Sequence, residues 1–131
     1  MALGAALLAA SSAGAQPLTC HGAEKPREVA ELFFGRRMGA QGFISEGAFR
    51  RFVAREITPR FPDGLTVLET RGQWRDPGGT RTIREPSNLV IIAMPGRPED
   101  HDHLAQIAEA YKKKFRQQSV GIVVRPAYVS F

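Results

Sequence analysis

Residues 65–94 read LTVLETRGQWRDPGGTRTIREPSNLVIIAM. Two strand-like runs lie on either side of Asp76-Pro77-Gly78-Gly79, a turn-forming stretch that reads as a hairpin connection or the tip of a longer one. The first run, Leu65–Arg75, alternates. Thr66, Leu68, Thr70, Gly72 and Trp74 share one face, and Leu65, Val67, Glu69, Arg71, Gln73 and Arg75 share the other. The second run, Ser87–Met94, is apolar on both faces, with Leu89, Ile91 and Ala93 against Val90, Ile92 and Met94. Such a strand belongs in the middle of a sheet covered on both sides. The pair joins a polar strand to a central one, and the flanking segments decide the topology.

Upstream, Glu28–Arg36 is a strand carrying Val29, Leu32, Phe33 and Phe34, followed by a loop with Gly39 and Gly42. Ser45 is a good N-cap for a helix, and Ile44 and Phe49 stand at staple positions around it. Phe49, Phe52, Val53 and Ile57 keep helical spacing until Pro59 stops the helix. Downstream, Pro95-Gly96 closes the third strand, and Pro98 suits the first turn of a second helix. Glu99, Asp100 and Asp102 crowd that helix start, where acids are favoured. Leu104, Ile107, Ala108, Tyr111 and Phe115 form its apolar stripe. The last strand is Gly121–Phe131, and Pro126 inside it argues for an edge position or a bulge.

The order β-α-β-β-α-β is the split βαβ pattern of an α+β, ferredoxin-like sandwich with a four-stranded antiparallel sheet. Its usual strand order, 4-1-3-2, puts the strand with Pro126 and the strand with Arg71 on the two edges. Two helices cover one face of such a sheet, yet the third strand is apolar on both. A second protomer on the open face, as in dimeric α/β barrels, would account for the difference. A homodimer is therefore expected.

The chain has 131 residues, enough for one domain at 28–131. Residues 1–15, MALGAALLAASSAGA, are uncharged and mostly small or apolar. Leu3–Ala10 reads as the apolar core of an export signal and Ala13-Gly14-Ala15 as its cleavage site, although the basic start of such a signal is missing. The run is too short to span a bilayer. A periplasmic or secreted location follows, with residues 16–27 as a flexible arm. Cys20 is the only cysteine, so no internal disulfide and no thiolate zinc site can form. Pro17 and Thr19 stand where a lipid-anchored cysteine wants Leu and a small residue, which argues against anchoring at Cys20. The net charge of +5 favours acidic surfaces or anionic ligands. It does not point to nucleic acid: the basic residues are scattered, and the third strand lacks the aromatics of an RNA-recognition module. Lys112-Lys113-Lys114 sits where a helix end favours cations.

No catalytic constellation is visible. Arg71, Gln73 and Arg75 share a strand face with Glu69. Two guanidiniums and an amide can cradle a carboxylate or phosphate of a small anionic molecule, or simply guard a sheet edge against pairing. Trp74 points to the other face and reads as core or interface. Glu31, on a central strand, can act as a base or pair with Arg125 or Arg71 if it faces the open side. His101-Asp102-His103 has the wrong spacing for a helical metal site, and acids at a helix start need no metal, so no metal or other cofactor is expected. Two readings stand. One is an exported, non-enzymatic domain binding a small ligand or a partner. The other is a small enzyme with a site on the open sheet face at a dimer interface, using Glu31 and Arg71.

Four segments carry a family resemblance: Glu31–Arg36 (ELFFGR), Thr58–Asp76 (TPRFPDGLTVLETRGQWRD), Ala110–Phe115 (AYKKKF) and the terminal Val129-Ser130-Phe131. Together, and in this order, they resemble the bacterial family called domain of unknown function 3574, over about Val29 to Phe131. The resemblance implies no activity and no site residues.

Overall fold

The computed structural model describes residues 19–75 and 78–131. The expected export signal, and Asp76 and Pro77 of the hairpin tip, lie outside the described residues. Four strands, β1 (Lys25–Gly35), β2 (Thr66–Arg75), β3 (Thr82–Ala93) and β4 (Gly121–Val129), form one antiparallel sheet in the order β2-β3-β1-β4. This is the ferredoxin-like order read from the other edge. Helix α1 (Glu46–Phe52) runs on as a π-helical turn, Val53–Ile57, and α2 is Asp100–Phe115. The strand with Pro126 is an edge strand, where its missing N–H leaves no gap in the ladder.

Two strands begin earlier than the apolar pattern indicates. β1 starts at Lys25, inside the stretch read as an arm, because Lys25, Pro26 and Arg27 pair with Val129, Tyr128 and Ala127. β3 starts at Thr82, five residues before Ser87, because Thr82–Pro86 pair with Arg75–Arg71. These extensions reach past the helices and have no core side chains to announce them.

Ala30, Leu32 and Phe34 of β1 and Val90, Ile92 and Met94 at and after β3 face the helices and are buried. Phe49, Phe52, Ile57, Leu104, Ile107, Tyr111 and Phe115 meet them from above. The centre is aromatic: Phe34 and Tyr111 stand edge to face with centroids 4.7 Å apart, and Phe52 and Tyr111 at 5.1 Å. Such pairs add to the area term of burial. The Tyr111 hydroxyl donates to the Gly35 carbonyl at 2.8 Å, tying α2 to the end of β1, and burial pushes its pKa well up. Ser45 caps α1 as its position indicates, its Oγ accepting from the Ala48 N–H at 3.1 Å.

Candidate functional site

The register fixes which face of the sheet each candidate occupies. Arg71 lies opposite Pro86 and Gln73 opposite Arg84, on the helix side of edge strand β2, where both are exposed. Glu69 shares that side. Glu31 lies between Ile91 and Val123 on the opposite, open face. The structure therefore keeps Arg71, Gln73 and Glu69 together and separates them from Glu31. Arg75, at the end of β2, reaches the rim of a cleft on the open face.

Glu31 is engaged. Both of its oxygens accept from the Arg125 fork, at 2.7 and 2.9 Å. Hydrogen bonding from Arg125 is the main cause that holds its carboxyl below the usual range, against some desolvation, with the guanidinium charge acting the same way. A general base working near neutral pH wants the opposite shift. Of the two partners open to Glu31, the fold supplies Arg125 and places Arg71 across the sheet.

The cleft, of about 520 Å³, lies at the end of the sheet where β1 and β2 finish and β3 and β4 begin. Its floor is Phe33, Gly35, Ile83 and Gly121. Trp74 and Glu85 form one wall. The loops after β1 and after α2 supply Arg37, Gly39 and Arg116–Ser119, and Arg75 and Arg81 complete the rim. Among the described residues, four arginines and one carboxylate line the cleft. Among the described residues none of the four arginines makes an ion pair.

Glu85 is a brace. One oxygen of Glu85 accepts the Trp74 indole N–H, and the other accepts the Arg37 backbone N–H at 2.8 Å. The Arg37 carbonyl in turn accepts from the Gln117 amide at 2.9 Å, joining the two loops that face the sheet end. Glycine makes room for this arrangement. A Cβ at Gly35 would stand 2.6 Å from Glu85 Oε1, and a Cβ at Gly72 would collide with Trp74 and with Ser87 Oγ. Arg116 is aimed by a left-handed turn: it ends α2 at φ 53° and ψ 42°, a conformation helix ends usually give to glycine.

A second, larger groove of about 860 Å³ occupies the other end of the open face, between Lys25, Arg27, Leu65, Ile91, Val129 and Phe131. Between the two, the sheet shows Leu68, Val123, Phe33, Leu89 and Ile91, of which Leu68 and Val123 are the most exposed. The residues of the His101-Asp102-His103 run diverge. His101 meets Glu28 at 2.8 Å, while His103 stands edge-on to Phe61 with centroids 5.9 Å apart. Among the described residues no cluster of three or more His, Cys, Asp or Glu is placed to hold a metal. Cys20 is exposed and free. No helix among the described residues is long and apolar enough to cross a membrane.

The sequence reading sets Arg75 in a row with Arg71 and Gln73 and takes Trp74 as core or interface; it does not bring Phe33, Arg37, Arg81, Glu85, Arg116 and Gln117 together with them. They come from separate segments and form no motif. The sequence offers one signal for them, a glycine two residues before the only tryptophan.

The sequence profile described as "Protein of unknown function (DUF3574)" matches residues 29–131. Among curated proteins none matches the chain. Among solved structures, the fold is similar to that of a phage SAM lyase in complex with S-methyl-5'-thioadenosine. That likeness has a TM-score of 0.62 and 15% identity, and covers 89% of this chain and 97% of the other. A phage SAM lyase in the apo state gives a TM-score of 0.57 at 15% identity, covering 88% and 92%. At that identity the likeness is one of fold. The chain belongs to the family of unknown function.

Proposed function

We propose that this protein is an exported bacterial domain that binds a small anionic molecule in the cleft at the sheet end, without chemistry of its own. The observation that carries the reading is the charge arrangement. Arg37, Arg75, Arg81 and Arg116 line one concave space whose one carboxylate among the described residues, Glu85, is committed to Trp74 and Arg37. Arginine offers a planar fork that matches carboxylate and phosphate oxygens. A cleft of about 520 Å³ is of small-molecule size. Export rests on the uncharged run at residues 1–15 and its small-x-small end. A second copy packed over the apolar middle of the open face belongs to the same reading.

The fold's likeness to a SAM lyase raises the rival reading, an enzyme on this face. Glu31 counts against it, because the Arg125 fork keeps that carboxylate charged and occupied. S-methyl-5'-thioadenosine belongs in any ligand panel as the compound seen on a similar fold.

The test is the melting temperature of the mature protein against inorganic phosphate, citrate and S-methyl-5'-thioadenosine. A ligand stabilises only by binding the native state, so an anion at 100 times its Kd adds about 2.7 kcal/mol. Phosphate or citrate is expected to raise the wild-type melting temperature. Arg81→Ser and Arg116→Ser should blunt the rise, and Arg71→Ala should leave it intact. If Arg71→Ala alone abolishes it, the exposed face of β2 is the anion site. If no anion shifts the wild type, the reading is wrong.

A further inference from the structure

We propose that the anion held in this cleft carries a planar aromatic ring, which stacks on Trp74. The inference rests on the cleft being an anion site and names the class of anion. The indole is a prepared platform. It lies back over Gly72, whose missing side chain gives it room, and its N–H is tied to Glu85. A ring fixed along one side and at its polar edge has lost its rotamer freedom before any ligand arrives, so stacking on it orders little further. Yet Trp74 remains 39% exposed and lines the cleft. A buried structural tryptophan would not need that geometry.

The rest of the cleft fits the same class. Phe33 and Ile83 give it an apolar floor next to the platform. Gly121 keeps that floor flat: a Cβ there would press on Phe33 at 3.3 Å. Arg37, Arg75, Arg81 and Arg116 line the same cleft, so one molecule can stack its ring on Trp74, with the apolar floor at the ring's edge, and present its charge to the arginines. A small inorganic anion would use only the rim, and a cationic ring would meet four like charges. Aromatic carboxylates and nucleoside monophosphates share the required chemistry, a flat ring joined to an anionic group.

Trp74 is the only tryptophan in the chain, so intrinsic fluorescence reports on this cleft alone. The experiment titrates the protein with four probes: inorganic phosphate (charge without ring), adenosine (ring without charge), adenosine monophosphate and benzoate (both). Affinities come from calorimetry and stacking from fluorescence. Adenosine monophosphate or benzoate is expected to change the emission saturably and to bind at least about tenfold more tightly than phosphate, from the usual strength of ring stacking. Phosphate is expected to compete with it while leaving the emission nearly unchanged. Which of the two probes is tighter distinguishes nucleotide from simple aromatic acid. Trp74→Phe should retain the preference for ringed anions and Trp74→Leu should lose it. If phosphate binds and neither ringed anion binds more tightly or alters the emission, this inference fails and the anion site stands. If adenosine binds as well as its monophosphate, the charged rim is idle and both fail. No binding by any probe overturns both.

Discussion

Arg116 holds a backbone conformation that an L side chain enters at a cost of about 1 kcal/mol or more. Among the described residues it is the only non-glycine with positive φ. Strain of this kind gathers at working sites, and here it falls on an arginine that lines the cleft. Arg116→Gly should therefore stabilise the fold by about 0.5–1 kcal/mol in chemical denaturation while weakening anion binding. A variant that loses stability, or gains it with anion binding intact, would separate the strain from the site. Asp100 makes a contrasting case. It is 2% exposed, and burial alone would push its carboxyl up. The Arg97 backbone N–H, the Arg97 guanidinium and the Gly96 N–H, each at 2.9 Å, outweigh burial and hold it below the ordinary range. Its contribution is thus present above the unfolded pKa and fades as pH falls through the lower, folded one. Asp100→Asn should cost about 1–3 kcal/mol at neutral pH. The gap between the two melting curves should close as the pH is taken below the ordinary carboxylate range. A gap independent of pH would mean that the carboxylate's charge is irrelevant.

At the scale of elements, the β2–β3 hairpin supplies both the platform and the brace. Glu85 satisfies two donors with two oxygens, the Trp74 N–H and the Arg37 N–H. An amide has one oxygen to offer, so Glu85→Gln leaves one donor without its partner. The expected loss is about 0.5–1.5 kcal/mol, accompanied by a shift in tryptophan emission as the indole loosens. Unchanged emission would show that Trp74 is held by its packing over Gly72 alone. The central part of this hairpin was legible because Leu89–Met94 is apolar on both faces, a pattern that suits a middle strand. The outer part was not. Thr82–Pro86 is mostly polar and pairs beyond the reach of the helices, so no burial pattern marks it as strand. The cleft was hidden for the same reason. Its arginines stand at positions 37, 75, 81 and 116, each an ordinary surface residue by its local context, and only the strand order brings them to one end of the sheet. The row of Arg71, Gln73 and Arg75 was conspicuous because its members alternate along one strand face, and a shared face on an edge strand says little about concavity.

For the whole molecule, the open face poses the remaining physical question. Helices cover one side of the sheet, while Leu68 and Val123 are 40% and 45% exposed on the other, flanking Phe33, Leu89 and Ile91. Fully burying such a side chain contributes about 1.5–3 kcal/mol, which favours a second copy over this middle region. The Glu31–Arg125 pair would enter that interface already matched, which limits the penalty of covering two charges. Light scattering on the mature protein should give the mass of two chains, and Leu89→Lys should return it to one. A wild type that stays monomeric at high micromolar concentration would leave the face to other uses.

The central claim is that the arginine-rimmed cleft, and no other surface, receives a small anion. Amide chemical shifts measured while inorganic phosphate is added test it most directly. The account predicts saturable shifts at the rim, at Arg37, Gly39, Arg81, Arg116 and Ser119, all with one dissociation constant, and little movement at Arg71 and Gln73. Shifts centred on Arg71 and Gln73, or scattered over the surface without saturation, would contradict it.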